Sequence, residues 1–480
     1  MTHRFRWCAP LLAALQFVSP GHAADNLPDL GEVSQSVFSA QTERKVGEAI
    51  MREVRLDRAY YDDPEVTDYL NSLGWRLAAH SGAGGQDFEF FLMRDDTINA
   101  FALPGGYIGV HTGLLLAAQN ESELAGVLAH EIAHVTQRHI ARMVAAESRN
   151  TLTTLAALAV AILAARSNSQ VASAAVATAQ AGAIQSQLDF TRENEREADR
   201  VGLQTLLAAG FDPRGMVSFF ERLQKANRIY DNNAPGYLRT HPLTTERIAD
   251  MEARVAELPY RQVPDSPEFQ FARAKLRAAK GNAREAVTYF RESLREHKYA
   301  SEAATRYGLA LALLRDRQPD AAWEELGRLR ARLPAPHPWV ESLAGEILAA
   351  QGRSAALLEH YREALARFPF HRALIYGQAD ALLNAGQARD ALKLVENRLR
   401  STPSDVRLYE LQARGYAQLG QSLAQHRALA EAQVLRGNLP AAIEQLQIAL
   451  RSGEGDFYQL SSVEARLREL RALDAETRKR

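Results

Sequence analysis

A repeat of 34 residues in the C-terminal half constrains the fold of this chain more than any other feature of its sequence. Glycines, apolar residues and prolines recur with this period, at Gly352, Gly386 and Gly420, at Leu357 and Ala391, and at Pro369 and Pro403. A unit of this length buries its apolar face only by stacking on neighbouring units, and the period is typical of paired antiparallel helices. The repeats therefore predict an α-solenoid with a curved surface suited to binding peptides or proteins.

The period is that of tetratricopeptide repeats, and we expect about five units in a domain of residues 261–480.

The net charge changes sign near the start of this domain. Residues 1–265 contain 24 Lys and Arg against 32 Asp and Glu, whereas residues 266–480 contain 33 against 26. Three explanations are open: two solvated surfaces of different composition, docking of the two domains on each other, or an acidic partner for the second. The positive charge is dispersed without interleaved aromatic residues, which argues against nucleic acid as a partner.

The N-terminus has the features of an export signal. Arg4 and Arg6 precede the apolar run from Trp7 to Val18, and small residues follow, so residues 1–23 are predicted to be a signal peptide. The only cysteine, Cys8, lies inside this segment. The mature chain would contain no thiol, which excludes both a disulfide framework and thiol catalysis.

The segment from His130 to His134 reads HEIAH and provides the chemistry of the N-terminal half. On a helix the two histidines stand on one face, so both imidazoles can bind one metal ion with Glu131 beside it. The surrounding residues, Glu121 to Met143, predict one helix from apolar residues at helical spacing. The alternative is a core helix with two satisfied histidines, which is less favourable because buried imidazoles and a carboxylate are costly to desolvate.

A catalytic zinc ion takes three protein ligands and leaves a fourth position for water. The extended motif HExxHxxGxxH would supply the third ligand locally, but Gln137 and Ile140 occupy the required positions. His139 misses the register and is interpreted as an ordinary helix-surface residue. The best remaining candidate is Glu195, in a helix predicted from about Asp189 to Ala209, although a solvated charged face is its alternative.

Asp199 lies one helical turn after Glu195 and therefore shares its helix face. A carboxylate at this position can accept the free N–H of a ligand histidine and fix the orientation of its ring. The neighbouring carboxylates, Glu193 and Glu197, are interpreted as solvated.

Several motifs resemble those of one family of zinc endopeptidases, the clan of the CAAX-prenyl proteases and HtpX, and most of all its soluble periplasmic branch. The matching segments are Asn99–Gly106, His130–His139, the run ENEREAD around Glu195, Thr240–Leu243 and the C-terminal repeats. The resemblance covers nearly the whole mature chain. It implies a mostly α fold, in which residues 24–260 form an α+β protease domain with a small sheet and the zinc-binding helix. It also implies export to the periplasm of a Gram-negative bacterium.

The motifs together indicate metal-assisted peptide hydrolysis, with one Zn²⁺ held by His130, His134 and Glu195. The ion would polarise the scissile carbonyl and lower the pKa of its water to near 7, while Glu131 transfers the water proton to the leaving amine. The resemblance further implies that His241 is a regulatory fourth ligand that displaces this water. The alternative for His241 is a histidine that caps or packs at the start of the next helix.

Strand character is predicted for residues 87–94 and 100–110, with a turn at Gly105-Gly106. An edge strand beside the metal could pair with extended substrate. By resemblance, Asn99, Ala100 and Phe101 are the candidate substrate-binding residues, and a plain core hairpin is the alternative.

The resemblance implies stalled or unfolded outer-membrane β-barrel proteins as substrates and the β-barrel assembly machinery as partner. A rival hypothesis is a chaperone or scaffold that acts through its repeats while proteolysis stays latent, although a scaffold has no need of Glu131.

The Ala-rich segment 151–187 is apolar over fewer than the ~20 residues that a membrane span requires. Packing on the protease, contact with a partner and peripheral contact with a membrane are its open roles.

Overall fold

The described part of the N-terminal half combines nine helices with three strands. In this computed structural model the described residues are 38–82, 84–146, 192–229 and 236–478. The elements up to residue 256 are α1 (Ala40–Leu56), α2 (Pro64–Ala78), β1 (Glu89–Met93), β2 (Ala100–Leu103), β3 (Tyr107–His111), α3 (Thr112–Ala117), α4 (Glu121–Thr136), α5 (His139–Ala146), α6 (Arg192–Ala208), α7 (Arg214–Ile229), α8 (Gly236–Thr240) and α9 (Thr245–Ala256).

Twelve helices form the C-terminal half over residues 267–478. They are α10 (Pro267–Ala279), α11 (Ala283–Arg295), α12 (Glu302–Arg315), α13 (Pro319–Arg330), α14 (Pro338–Ala350), α15 (Ser354–Arg367), α16 (Arg372–Asn384), α17 (Ala388–Leu399), α18 (Val406–Gln418), α19 (Ser422–Leu435), α20 (Leu439–Arg451) and α21 (Phe457–Arg478). The mostly α fold with a solenoid is confirmed, although the solenoid holds one helix pair more than the five expected.

The turns of the solenoid explain the glycine period of the sequence. Gly352, Gly386 and Gly420 each follow the first helix of a pair and have φ values of 69°, 74° and 71°. Only glycine adopts this left-handed conformation without steric cost. The period therefore records the turn at which each pair reverses its direction.

The three strands form one small sheet in the order β1-β3-β2. β1 and β3 are parallel, and β2 and β3 form the predicted antiparallel hairpin through Gly105-Gly106. β2 lies at the edge of this sheet and packs against α4. The sheet thus places a strand edge beside the helix that contains His130.

The predicted single helix from Glu121 to Met143 is wrong, because the chain breaks it after Thr136. Arg138 adopts a left-handed conformation with φ of 54°. Its guanidinium group donates to the Glu43 carboxylate over 2.7 Å and to the carbonyl of Phe38 over 2.6 Å. A non-glycine residue in this region costs roughly 1–2 kcal/mol. These contacts hold the break in place and start α5 in a new direction at His139.

The two halves share one apolar core, which runs from α2 through α4 to α14. The linker between them is also pinned to the start of α4. Asp265 accepts the backbone N–H of Glu121 over 2.7 Å, and Ser266 donates its hydroxyl to the Glu121 carboxylate over 2.6 Å. Ion pairs from Lys275 to α2 and its N-cap add charge complementarity. The structure thus favours mutual docking as the reason for the charge asymmetry.

Within the ranges given above, no helix is both long enough and apolar enough to cross a membrane. The signal-peptide prediction for residues 1–23 and the Ala-rich segment 151–187 lie outside the described residues.

Candidate metal centre

Four potential ligands converge in the interior of the N-terminal half. His130 and His134 lie on α4, Glu195 lies on α6, and His241 follows α8; all four are buried. Each offers one ligand atom, and these atoms all lie within 4.8 Å of one another. The two Nε2 atoms of His130 and His134 are 3.0 Å apart, and His134 Nε2 is 3.4 Å from a Glu195 oxygen.

These distances suit a divalent metal ion. Ligands about 2.0–2.1 Å from a tetrahedral zinc ion lie roughly 3.4 Å apart, close to the spacings observed here. The two imidazoles on α4 differ in their protonation. Burial acts to lower the pKa of His130, but its hydrogen bonds with Asp199 and Glu195 raise the pKa to about 9. Burial lowers the pKa of His134 well below its usual value, which favours the neutral imidazole that a metal ion requires.

α6 reaches the metal helix because of a glycine. At Gly202 a Cβ atom would lie 3.2 Å from both the Cα and the backbone nitrogen of His130, closer than side chains normally pack. The close approach brings Glu195 beside Nε2 of His130 and Asp199 beside Nδ1 of the same ring. The small residue at this position therefore places the predicted third ligand.

Arg247, at the start of α9, is a residue of this site that sequence reasoning missed. Its Nε and Nη2 donate to the two oxygens of Asp199 over 2.7 and 2.8 Å, and its Nη1 lies 2.7 Å from Glu195. Burial acts to raise the pKa of Asp199, but the hydrogen bonds from Arg247 and His130 lower it below its usual value. No local pattern indicated this role, because Arg247 resembles any basic residue in a first helical turn.

Asp199 also contacts the outer nitrogen of a candidate ligand. Its Oδ1 lies 3.1 Å from Nδ1 of His130. The structure thus brings together the pair that the sequence proposed, and Arg247 anchors the carboxylate from behind. An imidazole oriented in this way presents Nε2 to the cluster.

Glu131 lies beside the cluster with both oxygens fully buried, and neither forms a well-shaped hydrogen bond within the described parts of the chain. Burial raises the pKa of Glu131, and the charges of His241 and His130 only partly oppose this rise. A carboxyl group with a raised pKa is suited to take up and release a proton near neutral pH.

The interpretation of His139 as a surface residue is wrong, since its side chain is fully buried. The break at Arg138 turns His139 back toward the metal helix, where its Nδ1 lies 2.9 Å from Nδ1 of His134. Glu197 is likewise not simply solvated, because it pairs with His139 and Arg142. Glu193 is exposed, as expected. Burial lowers the pKa of His139 to about 4, so this ring is neutral at physiological pH.

His241 faces the cluster from the opposite side. Its Nδ1 is 2.9 Å from Glu195 and 3.5 Å from Nε2 of His130, while its Nε2 is 3.5 Å from Glu131. The Tyr237 ring stacks on its imidazole with a centroid distance of 4.7 Å. His241 therefore lies between the candidate ligands and the candidate base.

The three candidate substrate-binding residues lie on or beside β2. Ala100 and Phe101 are buried, and Phe101 packs edge-on against Phe91. The carbonyl of Asn99 accepts the N–H of His111 over 3.0 Å, which extends the hairpin pairing by one residue. The side chains of Ala100 and Phe101 thus pack in the core.

An HExxH helix completed by a glutamate from a second helix defines a metallopeptidase. Residues 64–255 match the model of Peptidase family M48. The beta-barrel assembly-enhancing protease of Escherichia coli K12 is 33% identical over 470 residues, covering 97% of this chain and 96% of that protein. A Vibrio cholerae protein that has provisionally been given the same name is 36% identical over 438 residues, which cover 91% of this chain and 89% of that protein.

The chain therefore belongs to peptidase family M48, among the beta-barrel assembly-enhancing proteases, and it is a metalloendopeptidase. Among solved structures, MamA from Desulfovibrio magneticus is similar to 36% of this chain with a TM-score of 0.28 and 20% identity.

Proposed function

We propose that this chain is a zinc-dependent endopeptidase of the periplasm that degrades misassembled outer-membrane β-barrel proteins and assists their assembly. The observation that carries the catalytic part is the convergence of four buried ligand atoms within 4.8 Å beside the buried carboxylate of Glu131. The relatives named above are called beta-barrel assembly-enhancing proteases, which supports the choice of substrate class. Residues 1–23 are the proposed export signal.

In this proposal the zinc ion would be held by His130, His134 and Glu195. When bound, it would polarise the scissile carbonyl and lower the pKa of the attacking water. Glu131 accepts the proton of the attacking water and returns it to the leaving amine. Asp199 holds His130 in the correct tautomer, and Arg247 keeps Asp199 ionised.

His241 is the proposed fourth ligand of a closed resting state. It lies between Glu195 and Glu131, so its ring would take the place that this proposal assigns to the attacking water. The helix before it is tied to the backbone next to β2, since Tyr237 donates its N–H to the carbonyl of Ile98 over 3.1 Å. A substrate paired along β2 could therefore favour movement of His241 through this contact.

The edge of β2 is the proposed substrate-binding element, with Asn99, Ala100 and Phe101 contributing backbone groups. Pairing of this kind recognises an extended chain with little sequence preference. An unfolded β-barrel precursor offers many extended segments. The protease domain is proposed to span residues 24–260, and the repeats, residues 261–480, to hold the precursor or the assembly machinery.

The deciding experiment measures bound metal and cleavage of an unfolded β-barrel precursor in the same preparations. Glu131→Gln should keep one zinc per chain and lose cleavage by about 10²–10⁴-fold, because the amide cannot transfer a proton. His134→Ala should lose both zinc and cleavage. Normal cleavage by Glu131→Gln at full zinc occupancy would refute the proposed mechanism.

The same assay tests the closed resting state. His241→Ala should keep its zinc and cleave several times faster than the wild type, because water gains permanent access. A variant that binds zinc fully, folds normally and cleaves no faster would return His241 to a structural or catalytic role.

A further inference from the structure

The outer nitrogen of His134 contacts a second imidazole, that of His139. His134 Nδ1 and His139 Nδ1 are 2.9 Å apart. The other nitrogen of His139, Nε2, lies 3.1 Å from the Glu197 carboxylate. Arg142 donates to the same carboxylate oxygen over 2.8 Å. A chain of four side chains thus runs from the centre of the site to its outside.

The chemistry of these groups fixes where the protons lie. An ionised carboxylate only accepts hydrogen bonds, so Glu197 requires the proton of His139 on Nε2. The neutral His139 ring then has a lone pair on Nδ1, and this atom accepts the Nδ1–H of His134. His134 is left with its lone pair on Nε2, the atom that faces His130 and Glu195.

The arrangement around His130 offers an internal comparison. There the Nδ1 atom contacts a carboxylate directly, and Arg247 anchors that carboxylate. On the His134 side an arginine also anchors a carboxylate, but one imidazole is inserted between carboxylate and ligand. Both carboxylates, Asp199 and Glu197, come from α6, which also supplies Glu195. One helix therefore controls the orientation of both histidines.

We propose that His139 and Glu197 are positioning residues that fix the tautomer of His134 and thereby set the affinity of the site for its metal ion. This inference rests on the proposed function, because it takes His134 as a metal ligand. The full burial of His139 and the left-handed break at Arg138 that turns it inward are both accounted for by this role.

The zinc dissociation constant, measured by competition with a chromophoric chelator, provides the first test. His139→Phe and Glu197→Leu should each weaken zinc binding by about 10–100-fold, since outer partners of ligand histidines contribute this much. In His139→Gln the new amide can accept from His134 through its oxygen and donate to Glu197 through its NH2 group, and in Glu197→Gln an oxygen remains to accept from His139. Both variants should stay within a few-fold of the wild type. Glu193→Leu, an exposed change on the same helix, is the matched control and should have no effect.

Long-range ¹⁵N–¹H correlation spectra of the zinc-loaded protein provide the second test. In the wild type, His134 should carry its proton on Nδ1, and Glu197→Leu should broaden or shift this signal while Glu193→Leu leaves it unchanged. If His139→Phe fails to fold, the Glu197 variants decide, because that side chain is partly exposed. Unchanged zinc affinity and an unchanged His134 tautomer in folded Glu197→Leu would overturn the positioning role of His139 and Glu197. The proposed function would stay intact. A wild-type protein that binds no zinc would overturn both.

Discussion

Two buried clusters of charge in this molecule solve the same electrostatic problem differently. At the junction of the two halves, Lys275 lies 2.7 Å from Asp63 and 2.6 Å from Glu65. At the metal centre, Arg247 pairs with Asp199 and one oxygen of Glu195, but the remaining donor atoms point at a common centre. At the junction the ammonium group of Lys275 lies between the carboxylates, so the chain itself supplies the central cation. At the metal centre the ligand atoms of three imidazoles and one carboxylate face a common centre, an arrangement suited to an ion from outside.

A substitution at the junction of the two halves should give the largest single change in the free energy of unfolding. Lys275→Met leaves the buried Glu65 and the partly buried Asp63 without this cation, and breaking a buried ion pair in this way costs about 3–5 kcal/mol of the free energy of unfolding. Lys280→Met, which removes an exposed pair with Asp96, should change stability by less than about 0.5 kcal/mol. Chemical unfolding of both variants measures the difference.

Zinc affinity sharpens the same comparison. If the two clusters are independent, Lys275→Met should bind zinc as tightly as the wild type does. A large loss of zinc affinity in the folded variant would mean that the junction and the metal centre form one cooperative unit.

Metal removal should give the next largest effect. With free zinc at 100 times its dissociation constant, the ion stabilises the folded state by about 2.7 kcal/mol, and a chelator should remove this amount. The measurement is best made on Glu131→Gln, which cannot digest itself. Addition of Lys275→Met should leave the zinc contribution unchanged to within about 0.5 kcal/mol, because the clusters share no side chain.

The smallest effect is the pH dependence of the junction. Burial raises the pKa of Glu65 from 4.5 to about 7, although Lys275 opposes this rise. Since the folded state binds this proton more tightly than the unfolded chain, the contribution of Glu65 to stability is largest below pH 4.5 and is lost as the pH rises through about 7.

Loss of Lys275 should raise the pKa of Glu65 further, so the stability deficit of Lys275→Met should be smaller at about pH 5 than at about pH 8. One proton accounts for at most about 1.4 kcal/mol per pH unit. Equal losses of stability in Lys275→Met at both pH values would show that the carboxylates stay ionised and find other partners.

The local sequence was sufficient to predict those features that depend on residues close together along the chain. The spacing of His130 and His134 places both on one helix face, and the glycine period marks the turns of the solenoid. The hairpin that forms β2 was predicted from its turn residues and strand character. The candidate third ligand, Glu195, was also found in the sequence, because its helix and its spacing to Asp199 are local features.

Apart from Asp199, the residues that surround the candidate ligands were decided by the tertiary structure alone. Arg247 is 48 residues from Asp199, and His139 faces His134 only because Arg138 breaks the helix under the restraint of Glu43, 95 residues away. Lys275 likewise meets Glu65 across 210 residues. Helical periodicity fixes which side chains share a face over a turn or two. It contains no information on which distant side chain will neutralise a buried charge, because that depends on how the elements pack.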